Sequence, residues 1–201
     1  MVQQAQEQQQ PQQAPQPQHT WANPGPWSLF AIAVLTATVG AFNAGLMPPT
    51  SGPLLIGILF ACFLPQFVGG LICFQRGELL IGTVNALFGT VATLGAAITL
   101  WQLVSVPKPG AITPEIMSIF WITLFVAMEV LAVAFSRMSW FIMLAIAEVG
   151  VSFLFIGLGR FVIGGWLLII FAVLAMYLSA AILWMETWQR PVLPLGRPMA
   201  R

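Results

Sequence analysis

Six runs of apolar residues, separated by short polar breaks, organise this chain. They cover approximately residues 27–47, 54–75, 79–103, 116–136, 139–159 and 162–186. A bilayer's hydrocarbon core is about 30 Å thick and needs about 20 apolar residues of helix to cross it. The pattern therefore predicts an all-α integral membrane protein with six transmembrane helices. The breaks are rich in helix-stopping residues. Pro48, Pro49, Ser51, Gly52 and Pro53 follow the first run, and Arg76, Gly77 and Glu78 follow the second. Pro107, Lys108, Pro109, Gly110 and Pro114 follow the third. Arg137 with Ser139, and Gly159 with Arg160, mark two tight hairpins.

Periodicity within the runs adds detail. Gly82, Ala86, Gly89, Thr93 and Ala96 recur at alternating spacings of four and three, so they share one helix face. Ala172, Ala175 and Ser179 do the same in the last run. In lipid, such faces let helix backbones approach closely, and tight packing is the first reading of both, ahead of solute lining. Trp21, Trp27, Trp101, Trp140, Trp184 and Trp188 lie near run ends, as an interfacial aromatic belt requires. Pro65 sits inside the second run and is expected to kink or break it. Irregular backbone at membrane depth belongs where it is buried or lines a wet cavity. Pro65 and Gln66 are therefore candidates for a conduction path, with a plain packing kink equally consistent.

Composition narrows the class. The chain is 59% hydrophobic and 6% charged, against roughly 25% charged in a soluble domain. Residues 1–21 are Gln- and Pro-rich and read as a disordered tail. They carry neither the basic nor the apolar region of a signal peptide, and His19 within them reads as a solvated bystander. Residues 22–187 hold the six helices, and 188–201 form a second polar tail. An even number of spans puts both tails on one side. That side collects five basic residues, Arg76, Arg137, Arg190, Arg197 and Arg201, against Lys108 and Arg160 on the other. The positive-inside rule then places both termini in the cytoplasm of a cell (inner or plasma) membrane.

Several functions are excluded. Seven scattered basic residues make no nucleic-acid surface. One His and no Asp leave no Ser/His/Asp, HExxH or metal constellation, so neither an enzyme nor a metal or other cofactor is expected. Cys62 and Cys73 are about 16 Å apart along a helix, too far to bridge.

The sharpest physical signal is a pair of carboxyls inside the apolar runs. Glu129 lies nine residues before Met138 and Glu148 ten after it, which puts both about 13–15 Å from the hairpin tip. Packed antiparallel, the two runs bring the carboxyls to one depth near the midplane. An intramembrane carboxyl is costly and marks function by default, so Glu129 and Glu148 are proton-coupling candidates. A neutral hydrogen-bonded pair holding an interface is the competing reading. Asn43 and Asn85 are further intramembrane amides, able to serve a carboxylate solute or to join helices.

The segment Ala22 to Leu29, ANPGPWSL, resembles the NPAPLGL signature at the first span of the acetate uptake transporter family, the succinate–acetate permease relatives. Asn23, Pro24 and Pro26 match, while Gly25, Trp27 and Ser28 depart. Asn43-Ala44-Gly45 is similar to the family's Asn-x-Gly, and Gln66, Gly70 and Gly77 fall in a stretch similar to its second-span motif. Trp188 to Gly196, WQRPVLPLG, resembles its closing R-x-VLP-x-G. Other positions diverge: Cys73 stands where the family usually has Glu, Glu78 where it has Asn, and Phe88-Gly89-Thr90-Val91-Ala92 where it has Tyr-Gly-Ser-Phe-Trp. Glu148 aligns with a position that is not acidic.

This resemblance implies a fold like the urea and amide channels, a homo-hexamer in lipid, and a narrow path in each protomer for acetate and similar monocarboxylates. It aligns Phe88 with an aromatic of the hydrophobic constriction and Ile32 with a second constriction residue. It aligns Val149 and Ala175 with positions that tune solute size. Asn23, Pro24 and Pro26 would form a rigid vestibule, although alone they read as the Pro start of an ordinary helix. The expected function is thus a transporter or channel for small monocarboxylates, with proton coupling through Glu129 or Glu148. The alternatives are a channel for ammonia, urea or short amides, and a structural or signalling membrane protein without flux.

Overall fold

A computed structural model describes residues 21–105 and 115–199. The Gln/Pro-rich tail with His19, the Pro107–Pro114 break with Lys108, and Arg201 lie outside the described residues. Among the described residues, six helices are long and apolar enough to span a membrane: α1 Gly25–Asn43, α2 Leu54–Gln75, α3 Leu79–Ser105, α4 Ile116–Phe135, α5 Trp140–Gly157 and α6 Phe161–Trp188. Each expected span has its helix. Hydrocarbon offers the backbone no hydrogen-bond partner, so the helix, which pairs its own N–H and C=O groups, is what such runs form.

The helices close a ring in chain order. α1 packs on α2, α2 on α3, α4 on α5 and α5 on α6, with a thin seam between α3 and α4 and an extensive one between α6 and α1. The α1–α6 seam is a contact of bare backbone. A Cβ added at Gly40 would meet the Gly165 carbonyl oxygen at 2.8 Å, and one added at Gly165 would meet the Gly40 oxygen at 2.7 Å. Buried polar groups brace the same region. The Ser28 hydroxyl donates to Pro65 O (2.9 Å), the Gln66 amide to Ser28 O (2.5 Å), and the Ser179 hydroxyl to Pro26 O (2.7 Å). These tie α1 to α2 and α6 without exposing a donor to lipid.

Three details differ from the sequence expectation. First, α1 ends at Asn43, because Gly45 turns the chain with φ of 78° ahead of the Pro48–Pro49 pair. Second, α2 runs unbroken through Pro65, whose carbonyl accepts from Ser28. Third, the irregular stretch falls in α3, where Leu87–Gly95 is π-helical. On the outside, Trp21, Trp27, Trp101, Trp140, Trp184 and Trp188 are all exposed. At the end carrying both termini, residues after α6 fold back: Trp140 N donates to Arg197 O, Met199 N to Ser136 O, and Ser139 Oγ to Leu195 O.

The glycine seam sets a stability test. Gly165→Ala forces a methyl against the α1 backbone and is expected to cost about 1–3 kcal/mol. Gly57→Ala, where a Cβ meets nothing within 4 Å, should be neutral or stabilising, since Ala outranks Gly in helices. Thermal unfolding in detergent separates the two; equal losses would contradict the seam.

Candidate functional site

Two cavities lie end to end inside the ring. The cavity on the side away from the termini, about 200 Å³, is lined by Ile32, Thr36 and Asn43 of α1, Leu55 and Leu59 of α2, and Phe88, Ala92 and Thr93 of α3. Trp121, Phe153, Phe161 and Leu168 complete it from α4, α5 and α6. The cavity on the terminal side, about 100 Å³, is lined by Asn23 and Leu29, Asn85, Phe135, Ile146, and Phe171 with Leu178. On four of the five helices that line both, the change from one cavity to the other falls within one or two turns: Leu29 to Ile32, Asn85 to Phe88, Ile146 to Phe153, Phe171 to Leu168; on α4, Trp121 and Phe135 stand further apart.

Aromatic rings make the partition. Phe88 stacks on Phe171 with centroids 5.9 Å apart and planes 12° from parallel. Phe153 tilts against Phe88 at 6.1 Å, and Trp121 backs Phe153 at 5.3 Å. Phe88, Phe153 and Phe171 are each no more than 4% exposed. Such a layer offers a hydrated ion nothing to exchange its water shell for, and it favours apolar or neutral solutes. Toward the α3–α4 end, the larger cavity shares Ala96, Leu100, Trp121, Ile156 and Phe161 with a wider cleft of about 470 Å³.

Polar groups sit on both flanks of the partition. On the terminal side, Asn23 starts α1 and lines the cavity: its Oδ1 accepts from Gly25 N (2.9 Å) and its amide donates to the Glu186 carboxylate (2.5 Å). Asn85 donates weakly to Cys73 Sγ at 3.9 Å. On the other side, Asn43 lies near the end of α1, and Thr36 spends its hydroxyl on Ile32 O at 2.8 Å. Thr93 is fully buried and its hydroxyl has no partner among the described residues.

The sequence candidates divide by place. Asn23, Ile32, Asn43 and Phe88 line the cavities. Val149 and Ala175 are wholly buried one turn from Phe153 and Phe171, so they back the ring layer without lining either cavity. Pro24 and Pro26 build the start of α1, and Pro26 holds Ser179. Gln66, 1% exposed, is wedged between α1 and Gly89 of α3 and lines neither cavity.

Glu129 and Glu148 share a depth but not a face, and neither lines the cavities. A Cβ at Gly150 would lie 2.7 Å from Glu129 Oε1, so Gly150 makes room for that carboxyl in the α4–α5 seam. Glu148 is two residues earlier on α5, about 200° around the helix, and no hydrogen bond joins the two carboxyls among the described residues. Both Glu148 oxygens and Glu129 Oε1 are buried without a partner among the described residues. Phe153, Phe171, Trp121 and the unpaired Thr93 hydroxyl are site features that sequence reasoning missed. Among the described residues, no group of three His, Cys, Asp or Glu could hold a metal ion.

A solved structure described as the bacterial acetate channel SatP superposes on this chain with a TM-score of 0.78. The match covers 88% of this chain and 100% of that one at 19% identity, and it shows a shared fold. No curated protein sequence matches the chain. The model of the GPR1/FUN34/yaaH family matches residues 5–195. That stretch takes in all six spans and both cavities, and the chain belongs to this family of multipass membrane proteins.

Proposed function

We propose that this protein carries acetate and similar small monocarboxylates across the membrane through its own helix ring. The observation that carries the reading is the stack of two cavities separated by Phe88, Phe153 and Phe171, each flank holding a few polar groups. The fold shared with a bacterial acetate channel supports the solute class. An apolar layer passes a small protonated or weakly hydrated acid far more readily than a bare ion. The same proposal has the protomer assemble as a homo-hexamer in the cell membrane, with a path in each copy and both termini cytoplasmic. The basic residues Arg76, Arg137, Arg190 and Arg197 on the terminal side, against Arg160 on the other, support that orientation.

A second reading adds proton coupling. The unpartnered carboxyl oxygens of Glu148 at the depth of the ring layer favour it. Because Glu148 does not line the cavities, it would act through α5 packing rather than by touching solute.

Uptake of labelled acetate into proteoliposomes tests the first reading. Saturable uptake is expected, rising as external pH falls toward a carboxylic acid's own pKa of about 4–5, because the neutral fraction grows about tenfold per pH unit. Competition by urea or ammonium in place of acetate would shift the assignment to the amide or ammonia alternative. Glu148→Gln tests the second reading: uptake that persists but ignores an inward proton gradient supports coupling, and an unchanged gradient response removes Glu148 from it. Phe88→Ala should join the cavities, raising flux of longer monocarboxylates relative to acetate while costing about 3–5 kcal/mol of stability. Unaltered chain-length preference would mean that Phe88 is not the constriction.

A further inference from the structure

The threonines of α3 and α1 set a pattern that one residue breaks. Thr83 donates to Leu79 O (2.8 Å), Thr90 to Ala86 O (2.7 Å) and Thr99 to Gly95 O (2.9 Å). Thr36 and Thr38 make the same bond to the carbonyl four residues back. In lipid this return bond is how a helix hides a hydroxyl. For Thr93 the carbonyl four back is that of Gly89, inside the π-helical stretch Leu87–Gly95. Thr90 of the same stretch still makes its return bond, whereas the Thr93 hydroxyl finds no partner among the described residues while being 0% exposed.

A buried hydroxyl without a partner costs about 1–3 kcal/mol, and buried polar groups are rarely left so. Thr93 lines the larger cavity, whose surrounding wall of Leu35, Leu59, Phe88 and Ala92 is apolar. At about 200 Å³ the space exceeds several times the roughly 30 Å³ share of one liquid water. One π turn separates Thr93 from Phe88 of the ring layer.

We propose that Thr93 is the hydrogen-bonding station that holds a solute's carboxyl group beside the ring layer. The hydroxyl is both donor and acceptor, so it takes a carboxylate oxygen or an acid O–H equally, which suits a group that crosses the layer in neutral form. This assignment rests on the transport reading and deepens it.

The test uses the full chain in proteoliposomes, with acetate uptake measured against concentration for wild type, Thr93→Val and Thr93→Ser. Thr93→Val should raise the half-saturating concentration about tenfold, the loss of one hydrogen bond to a carboxyl group. Thr93→Ser should restore it. The melting temperature of Thr93→Val in detergent should equal or exceed that of wild type, since the variant removes an unsatisfied group. Wild-type saturation in Thr93→Val, with or without a lower melting temperature, would overturn the proposal and leave the hydroxyl a structural role. If wild type moves no acetate, the transport reading fails on its own. Saturation-transfer NMR on the acetate methyl then tests the station alone: signal lost in Thr93→Val and kept in Thr93→Ser supports it, and any other pattern overturns it.

Discussion

Helices in lipid cannot be squeezed together by water, so close backbone contact must hold this ring. Association there depends on dispersion between well-fitted surfaces and on a few hydrogen bonds. The α1–α6 seam meets this constraint at Gly40 and Gly165, where the carbonyl of one helix lies against the Cα of the other. Gly70 and Gly89 bring α2 and α3 backbone similarly close, Gly157 lies against the Ser118 carbonyl between α4 and α5, and Gly150 makes room there for the Met128 and Glu129 side chains. A ring drawn tight at its seams has a fixed bore. What fills the bore is then a matter of which bulky side chains point inward, and Phe88, Phe153 and Phe171 fill it at one level.

The second constraint is polar bookkeeping. Ser28, Gln66 and Ser179 spend their donors between helices, and most helix threonines spend theirs on their own backbone. Against that background an unspent group is informative. Thr93 is unspent among the described residues, and it faces a cavity. The Glu148 oxygens are unspent too, yet they lie off the cavity wall. The same physical oddity, a buried polar atom without a partner, therefore supports solute contact in one place and at most an indirect role in the other.

The six spans were legible in the sequence because bilayer thickness converts directly into run length. Asn43 stood out as an intramembrane amide, Asn23, Ile32 and Phe88 through the resemblance to acetate transporters, and all four lie along the two cavities. The π stretch was not legible. Pro65 is a visible helix breaker, but α2 passes through it, whereas Leu87–Gly95 has no residue that announces its register. Phe153 and Phe171 were hidden among 15 phenylalanines, most of which face neighbours or lipid. The shared depth of Glu129 and Glu148 followed from hairpin geometry. Their separation around the helix did not, although Gly150 and Gly157, seven residues apart, already marked the α5 face that meets α4.

The most direct test asks whether the two cavities are halves of one path divided at the ring layer. With the free Cys62 and Cys73 replaced by Ala, Ala92→Cys places a thiol on the larger cavity and Ile146→Cys places one on the smaller. A charged methanethiosulfonate reagent is then added to one side of proteoliposomes at a time. Each cysteine should react from its own side alone, and each modification should stop acetate uptake. Reaction of either cysteine from both sides, or modification of both with uptake intact, would contradict a single path closed by Phe88, Phe153 and Phe171.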